Sequence, residues 1–334
     1  MKIFLPFHGK GSAFMGVGTF ARKFKSGMEA RGHEVFFEYR KDYDILFLIV
    51  QAPFKYLWEA KYKKKPIIQR LDGVWYWSVV GWKYPIFNLK AHIIRHFFAD
   101  FTIYQSQFSK YCVEKFLGKK QDERSAIIYN GVDTNLFSPN GERIEGLRDN
   151  PNQHIFFTAS SFRRQDQIVP IIEALKRYRE KYGDNFKLFV AGPFRGKIEN
   201  VPAKYADFKN IRFLGTIKNE DLPKYERSAD VFLFTHFNPP CPNNVIEALA
   251  CGLPICGIAD GAMPELVKHK QTGLLIETKG DAFWKKRSLN LAGFADNLHV
   301  LAANKRSYSL NGRSVAKNQF TLSQMIDKYI AVLS

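Results

Sequence analysis

The sequence predicts an α/β protein made of two Rossmann-like, doubly wound domains that face a cleft. Short apolar segments recur along the chain without polar alternation, helical patterns separate them, and glycine-containing turns follow several of them. Strands that are apolar on both faces are typical of a parallel sheet covered by helices on each side. The series stops once near the middle and begins again, which predicts two domains in the 334 residues.

The predicted first domain, residues 1–140, begins with a strand, a glycine loop, a helix and a second strand. The apolar run Lys2 to Phe7 precedes four glycines, and the next apolar residues have helical spacing: Phe20, Ala21, Phe24 and Met28. Gly32 ends this helix. Strands are then predicted over 35–39, 44–50, 66–70, 101–105 and 126–129, with a helix over 109–116.

A linker is predicted over residues 138–153, where the sequence SPNGERIEGLRDNPNQ has two Pro, two Gly and few apolar residues. The second domain, residues 153–320, repeats the first pattern. Its predicted strands are 154–158, 187–191, 211–214, 230–235, 255–258 and 273–276, and its predicted helices are 168–182, 221–228 and 244–251. Residues 321–334 are predicted to form a terminal helix with Thr321 at its N-cap.

Composition excludes several classes of protein. The chain is 46% hydrophobic and 25% charged, its four cysteines make no disulfide framework, and no apolar run approaches the roughly 18 residues of a spanning helix. The N-terminus lacks a signal-peptide pattern, so we expect a cytoplasmic protein. The net charge of +18 predicts an anionic partner, either nucleic acid, anionic lipid or a phosphorylated small molecule.

Two glycine-containing clusters follow predicted strands, where α/β sheets bind ligands. The first, HGKGSAFMGVGTFA at residues 8–21, opens a helix, so Gly16 and Gly18 would let a phosphate approach backbone N–H groups. It is neither a clean dinucleotide fingerprint nor a P-loop, and a tight turn is the alternative. The second, NPPCPNNVIEALACGLPICGIADGAMPELV at residues 238–267, joins a helix, a buried strand and a glycine loop.

The second cluster resembles the donor-binding signature of family 4 glycosyltransferases, the retaining enzymes of GT-B fold. Other stretches resemble the family in the same order: MGVGTFA at 15–21, QRLDG at 69–73, IYQSQFSK at 103–110, IIYNGVDTNLFSP at 127–139, LFVAGP at 188–193, IRFLG at 211–215 and QFT at 319–321. The resemblance implies transfer of a sugar from a UDP- or GDP-linked donor to a glycan or lipid-linked acceptor in surface polysaccharide or glycoconjugate synthesis. It implies a nucleotide-sugar substrate, no metal and no further cofactor.

The resemblance also implies site residues. Glu247 corresponds to the signature acid that holds the ribose, and the other implied donor-binding positions are Asn243, Gly261, Ala262, Met263 and Glu265. The first acid of the signature falls on Pro239, so its sugar contacts are missing or come from Asn238 or from backbone. A surface-exposed helix acid is the alternative for Glu247.

The catalytic candidates are Asp72, Arg163 and Arg164. The diphosphate-binding Arg and Lys of the family fall on Ser161 and Asp166, and the arginines between them suit a diphosphate. A solvated loop is the alternative for these arginines. Asp72, in the RLDG turn, is a candidate for contacting a sugar, and a turn or N-cap acid is the alternative.

Three other patterns leave alternatives open. Asp42-Tyr43-Asp44 matches a D-x-D metal motif but starts a buried strand, and His236 follows a strand end near the signature. Residues 55–90 combine lysines with tryptophan and tyrosine, which suits an anionic membrane surface or an ordinary solvated face. Alternative functions are a nucleotide-sugar epimerase, a catalytically silent GT-B partner protein and, from charge alone, a nucleic-acid-binding protein, for which no motif exists.

Overall fold

The computed structural model describes residues 1–7, 16–121, 123–285 and 288–334. The chain forms two compact units. The first contains Met1–Gly131, Asp281–Lys286 and Leu322–Ser334, and the second contains Val132–Gly280 and Arg287–Thr321. The composition predicted a linker over 138–153, whereas in the structure the chain passes from the first unit to the second at residues 131 and 132.

The first unit is built on a parallel sheet of six strands in the order β2-β1-β3-β4-β5-β6. The strands are β1 (Lys2–Phe4), β2 (Glu34–Phe36), β3 (Ile45–Ile49), β4 (Ile67–Leu71), β5 (Phe101–Tyr104) and β6 (Ser125–Ile127). The helices are α1 (Gly16–Glu29), α2 (Phe54–Tyr62), α3 (Trp77–Val80), α4 (Tyr84–Ile93) and α5 (Gln107–Leu117), and a π-helical turn over Ile94–Phe98 continues α4.

The last helix of the chain, α13 (Leu322–Leu333), completes the core of the first unit. Its residues Met325, Ile326 and Tyr329 are buried against the apolar face of α1, where Phe20 and Phe24 have the predicted helical spacing. Gly27 lets the two helices approach, because a Cβ atom there would lie 2.5 Å from Ile326. The terminal helix therefore belongs to the first unit, which also contains the N-terminus.

The second unit has a parallel six-stranded sheet in the order β12-β11-β10-β7-β8-β9. Its strands are β7 (His154–Ala159), β8 (Phe186–Ala191), β9 (Ile211–Gly215), β10 (Val231–Phe234), β11 (Ile255–Ile258) and β12 (Gly273–Ile276). Its helices are α6 (Val169–Tyr182), α7 (Val201–Lys204), α8 (Leu222–Ser228), α9 (Asn243–Ala250), α10 (Met263–Leu266), α11 (Leu291–Ala303) and α12 (Lys305–Gln319). The two parallel α/β sheets confirm the predicted fold class.

The polar stretch at 138–153 is bound to the second unit. Arg227 donates to the carbonyl oxygens of Ser138 and Glu142 at 3.1 and 2.7 Å, and Arg148 forms a bidentate pair with Asp230 at 2.7 and 2.9 Å. Burial alone would raise the pKa of Asp230. Its contacts with Arg148 and Lys305 outweigh that effect and hold the pKa below its usual value. Composition identified the stretch as polar, but its partners are distant in sequence.

Sequence patterns missed four long helices. In α2 both faces carry aromatic residues, since Tyr56 is buried while Phe54 and Trp58 are exposed, so its apolar residues have no clear helical period. The others are α4, α11 and α12. No helix in the described part of the chain is both long and apolar enough to cross a membrane.

Candidate functional site

The second unit has a topological switch point between β7 and β10. These strands are neighbours in the sheet, although β8 and β9 come between them in the chain. In the sheet, β8 and β9 extend from β7 in one direction, and β11 and β12 extend from β10 in the other. In the unit's own numbering the order is 3-2-1-4-5-6, the dinucleotide-binding order of doubly wound sheets. Loops diverge at such a point and leave a crevice outside the carboxyl ends of the strands, where ligands bind.

The loop after β7 carries Arg163 and Arg164. The Gln167 Oε1 atom accepts from both of their backbone N–H groups, at 2.7 and 3.1 Å, and so fixes the turn. The Arg164 guanidinium pairs with Asp166 at 2.9 Å in a partly exposed position, whereas Arg163 is exposed. The two arginines therefore lie in different surroundings, and the position that resembles the family lysine holds the acid that pairs with Arg164.

The loop after β10 is tied to the loop after β7. The Thr235 hydroxyl donates to the carbonyl oxygens of Asp166 and Gln167 at 3.2 and 3.3 Å, and the His236 ring lies 3.3 Å from Gln167 Nε2. Burial, with a smaller contribution from the Arg164 charge, lowers the pKa of His236 to about 3. His236 is thus a neutral hydrogen-bonding group at physiological pH and not a charged imidazolium.

The loops after β10 and β11 lock together through their backbones. The Ala262 N–H donates to the Pro239 carbonyl at 2.8 Å, and the Asn238 N–H lies 3.4 Å from an Asp260 carboxylate oxygen. Gly261 has φ +60°, and a Cβ atom there would lie 2.3 Å from Pro239. Pro239, which stands where the family has an acid, therefore packs on the glycine loop, and the polar side chain next to it is Asn238.

Of the remaining candidates in these loops, Ala262 and Met263 are fully buried and Glu265 is partly exposed, at the start of α10. Asn243 begins α9 and is partly exposed. Its neighbour Asn244 donates to the Ala159 carbonyl at 2.6 Å, which fixes the start of α9 against the end of β7. The N-cap residue of α9, Pro242, makes no side-chain cap hydrogen bond, and the Asn244 Oδ1 atom accepts from the Val245 N–H at 3.1 Å.

Glu247 is buried, with 5% of its surface exposed, which contradicts the alternative of a surface-exposed helix acid, while the ribose contact stays a prediction. It lies near Glu226, a buried residue of α8. Burial first, and repulsion from Glu247 second, raise the pKa of Glu226 well above its usual range. The helical pattern of the sequence places Glu247 one turn from the start of α9. It does not indicate that a second acid, Glu226, lies close to it.

In the first unit, Asp72 follows β4 and its carboxylate accepts from Arg70. Arg70 is 1% exposed, donates to Asn130 Oδ1 at 2.8 Å and stacks over the Phe20 ring at 3.5 Å. Burial raises the pKa of Asp72, and the attraction of Arg70 opposes that rise. The structure therefore shows Asp72 in an ion pair within its own turn, and a sugar contact stays a prediction.

The glycine loop of the first unit is described only in part. Gly16 and Gly18 lie in the first turn of α1, while residues 8–15, which include the rest of this motif, are outside the described residues. Asp42 and Asp44 both bind Lys2, at 2.8 and 2.7 Å, near the amino ends of the strands. Within the described ranges no group of three His, Cys, Asp or Glu is placed to hold a metal ion.

Sequence reasoning missed the supporting residues of the crevice, namely Gln167, Asn244 and Asp260. For Asp260 a signal existed, because it comes two residues after a buried strand. For the contacts of Gln167 with His236 and of Asn244 with Ala159 none existed, since these partners lie on other elements.

The elements around this switch point also carry the match to known proteins. Residues 141–290 match the family model described as glycosyl transferases group 1. The matched segment contains the loops after β7, β10 and β11 and the whole of α9. The group 1 match therefore covers the crevice of the second unit.

Relatives and solved structures agree with the group 1 match. The alpha-monoglucosyldiacylglycerol synthase of Acholeplasma laidlawii is 22% identical over 223 residues, 64% of this chain and 55% of that protein. The chain aligns with about half the length of such curated relatives. Sucrose-phosphate synthase from Thermosynechococcus elongatus superposes with a TM-score of 0.80 at 16% identity, over 99% of this chain and 98% of the other. Anabaena HepE, solved with UDP and glucose, gives 0.76 at 18%, over 100% and 99%. These likenesses establish the GT-B fold.

Proposed function

We propose that the chain is a glycosyltransferase that moves a sugar from a UDP- or GDP-linked donor to a glycan or lipid-linked acceptor. The observation that carries the proposal is the coincidence of the group 1 match with the switch-point crevice of the second unit. The complex of HepE with UDP and glucose supports a nucleotide-sugar donor. We further assign the enzyme to family 4, and place its product in surface polysaccharide or glycoconjugate synthesis.

In the proposed reaction the bond from the sugar to the diphosphate breaks while the acceptor hydroxyl attacks from the same face and passes its proton to the departing diphosphate, so configuration is retained. Negative charge grows on the departing diphosphate, and fixed positive groups stabilise it. Arg164 supplies a guanidinium at the end of β7, and the N-terminus of α9 supplies a favourable dipole. Glu247, on α9, accepts from the ribose hydroxyls. No metal is required in this scheme.

The test is turnover of a panel of UDP- and GDP-sugars, first by hydrolysis and then with glycan and lipid-linked acceptors. We expect one donor to be turned over, with the product anomer, determined by NMR, matching the donor anomer. Turnover should persist after dialysis against EDTA. A product with inverted configuration would contradict the retaining mechanism. Loss of turnover after EDTA dialysis would contradict metal independence. If the protein bound no nucleotide at all, the proposed function itself would be wrong.

We propose a second feature of the function, association with an anionic membrane. The first unit exposes a group of apolar side chains that we call the aromatic surface: Phe54, Trp58, Tyr62, Trp82, Ile86, Phe87, Leu89 and Phe97. Phe54, Trp58 and Tyr62 follow one another at four-residue intervals on α2, which places them on one helix face. Helices α2 and α4 approach each other at this surface, because the Lys90 Nζ atom lies 5.5 Å from the Phe54 ring centroid.

Lysines accompany the aromatic surface, and Lys55, Lys64 and Lys83 are exposed. Lys61 and Lys63 also lie here, but they pair with Asp100 and Glu59. Aromatic residues favour the headgroup region, and each basic residue near an anionic leaflet contributes about 1 kcal/mol. The combination fits a bilayer rich in anionic lipid better than an uncharged partner.

Sedimentation with vesicles tests this surface. The protein should pellet with phosphatidylglycerol–phosphatidylcholine vesicles at low salt, be released as salt screens the charge, and stay unbound with phosphatidylcholine alone. Reversing Lys55, Lys64 and Lys83 to Glu should abolish pelleting, while reversing Lys209, Lys218 and Lys279 of the second unit, with the same charge change, should not. Equal loss in both triple variants would show that only net charge matters and would contradict the assigned surface.

A further inference from the structure

Asn238, at the end of β10, has a buried side-chain amide that no described residue satisfies. The residue is 7% exposed, and neither its Nδ2 nor its Oδ1 atom has a hydrogen-bond partner. By contrast, the buried Asn88 bonds both amide atoms to Trp75, at 2.8 and 2.9 Å. Leaving a buried polar group unsatisfied costs about 1–3 kcal/mol. An amide with two such atoms therefore requires an explanation.

The backbone around Asn238 holds the amide where it is. Asn238 has φ +52°, a left-handed conformation that asparagine tolerates better than most residues. Asp260 lies 3.4 Å from its N–H, and the next residue, Pro239, accepts from Ala262. Neighbouring loops thus impose both the burial and the unusual φ. Such strain persists where the surroundings over-determine it, and it concentrates at ligand sites.

The position of Asn238 restricts the ligand. It follows Thr235 and His236 in the loop that contacts Asp166 and Gln167 at 3.2 and 3.3 Å, so this loop is bound to the one that carries Arg164, the cation assigned to the diphosphate. A diphosphate only accepts hydrogen bonds and would leave Oδ1 without a partner. A sugar hydroxyl both donates and accepts, so neighbouring hydroxyls satisfy both ends of an amide. The group bonded directly to the diphosphate is the transferred sugar.

We infer that Asn238 recognises hydroxyl groups of the transferred sugar and thereby sets donor specificity. The inference rests on the proposed function. Pro239 has no side-chain oxygen with which to contact the sugar, and the inference assigns that contact to the Asn238 amide. Nucleotide binding then depends on other residues, because the amide meets only the sugar portion of the donor.

The test uses Asn238→Gly, because glycine keeps the left-handed backbone without strain and removes only the amide. Lys270→Gly is the matched control, since Lys270 also has positive φ, 63°, and is exposed. We expect Asn238→Gly to bind UDP or GDP within about twofold of wild type by calorimetry, and to keep or raise its Tm because no hydrogen bond is lost. Its kcat/KM for the active nucleotide-sugar should fall by about ten- to a hundredfold. Lys270→Gly should match wild type in every measurement.

Deoxy donors identify the contact. Removing one sugar hydroxyl at a time should reveal at least one deoxy donor for which wild type and Asn238→Gly have equal kcat/KM, since both partners of the contact are then absent. Unchanged kcat/KM for the intact donor in Asn238→Gly would overturn the inference. Equal loss of UDP and nucleotide-sugar binding would also overturn it, by assigning the amide to the nucleotide. Wild-type protein that binds no nucleotide would instead remove the proposed function, and this inference with it.

Discussion

At the scale of single residues, Arg163 and Arg164 differ in their surroundings although they are adjacent in sequence. Arg164 is partly buried and paired with Asp166, whereas Arg163 is exposed to solvent that screens its charge. The expectation from sequence was that the two arginines share the leaving diphosphate. From their different surroundings we propose Arg164 as the principal cation of this loop.

Arg164→Ala is expected to lower kcat by about 10²–10³ and to raise donor KM less, because its interaction strengthens as charge develops on the leaving group. Arg163→Ala should change kcat by less than about threefold. Steady-state kinetics with the active donor measures both. The double variant Arg164→Ala, Asp166→Asn shows whether an unpaired Asp166 causes the loss. Equal defects in the two single variants would contradict the distinction.

Glu247→Gln is expected to weaken donor binding by about ten- to a hundredfold, because a hydrogen bond to a charged group contributes about 1.5–3 kcal/mol. A carboxylate that only faced the donor crevice would leave the stability without donor almost unchanged. Since Glu247 is buried close to Glu226, we now expect the substitution to relieve repulsion and raise Tm. Calorimetry and thermal unfolding measure the two effects. A lower Tm together with normal nucleotide binding would make Glu247 a structural residue.

Glu226 predicts a pH dependence of stability. Its pKa is raised on folding, so the folded state binds the proton more tightly than the unfolded state. The stabilisation is complete below the unfolded pKa, about 4.3, and is lost as pH rises towards the folded value. Glu226→Gln should therefore raise Tm at pH 8 by about 2–4 °C, the shift that 1 kcal/mol gives in a domain of this size, and less at pH 4.5.

The control for this prediction is Glu220→Gln, at an exposed position in the turn that precedes α8. Its Tm should follow that of wild type at both pH values. A Tm difference between Glu226→Gln and wild type that stays constant from pH 4.5 to pH 8 would show that the carboxyl does not titrate abnormally.

At the scale of elements, the terminal helix is held by a close approach that only glycine permits. Gly27→Ala is expected to destabilise the first unit by about 1–2 kcal/mol net, because overpacking against Ile326 exceeds the helix propensity gained. Ile326→Val removes one of the two obstructing atoms, Cδ1, and should partly restore stability in the double variant. Denaturant unfolding measures all three variants, and strictly additive changes would contradict direct packing at this point.

At the scale of the whole molecule, each unit has its own sheet and its own buried core. A nucleotide that binds the crevice stabilises the folded protein by about 2.7 kcal/mol when its free concentration is a hundred times its Kd. Hydrogen exchange should then show UDP or GDP slowing amides in 159–167, 235–247 and 259–265. Exchange slowed only in the first unit would place the nucleotide elsewhere and contradict the proposed site.

The amino-acid sequence alone determined the succession of the strands along the chain and most of their limits to within about one residue. The core strands of a parallel sheet are buried on both faces, so they appear as apolar runs that need no knowledge of their neighbours. β11 and β12, for example, have the limits that the sequence predicted. Helix α9 was predicted within one residue, because Gly252 and Pro254 mark its end.

Only the tertiary structure decided which side chains share an environment. The pairing of Asp166 with Arg164 is local to one loop, whereas the burial of Glu247 near Glu226 and the unsatisfied amide of Asn238 each depend on packing between different elements of the second unit. The same holds for the terminal helix, whose partner α1 lies some 300 positions earlier in the chain. Local patterns report the period and the ends of an element, whereas burial and electrostatic surroundings arise from packing between elements, which no single segment encodes.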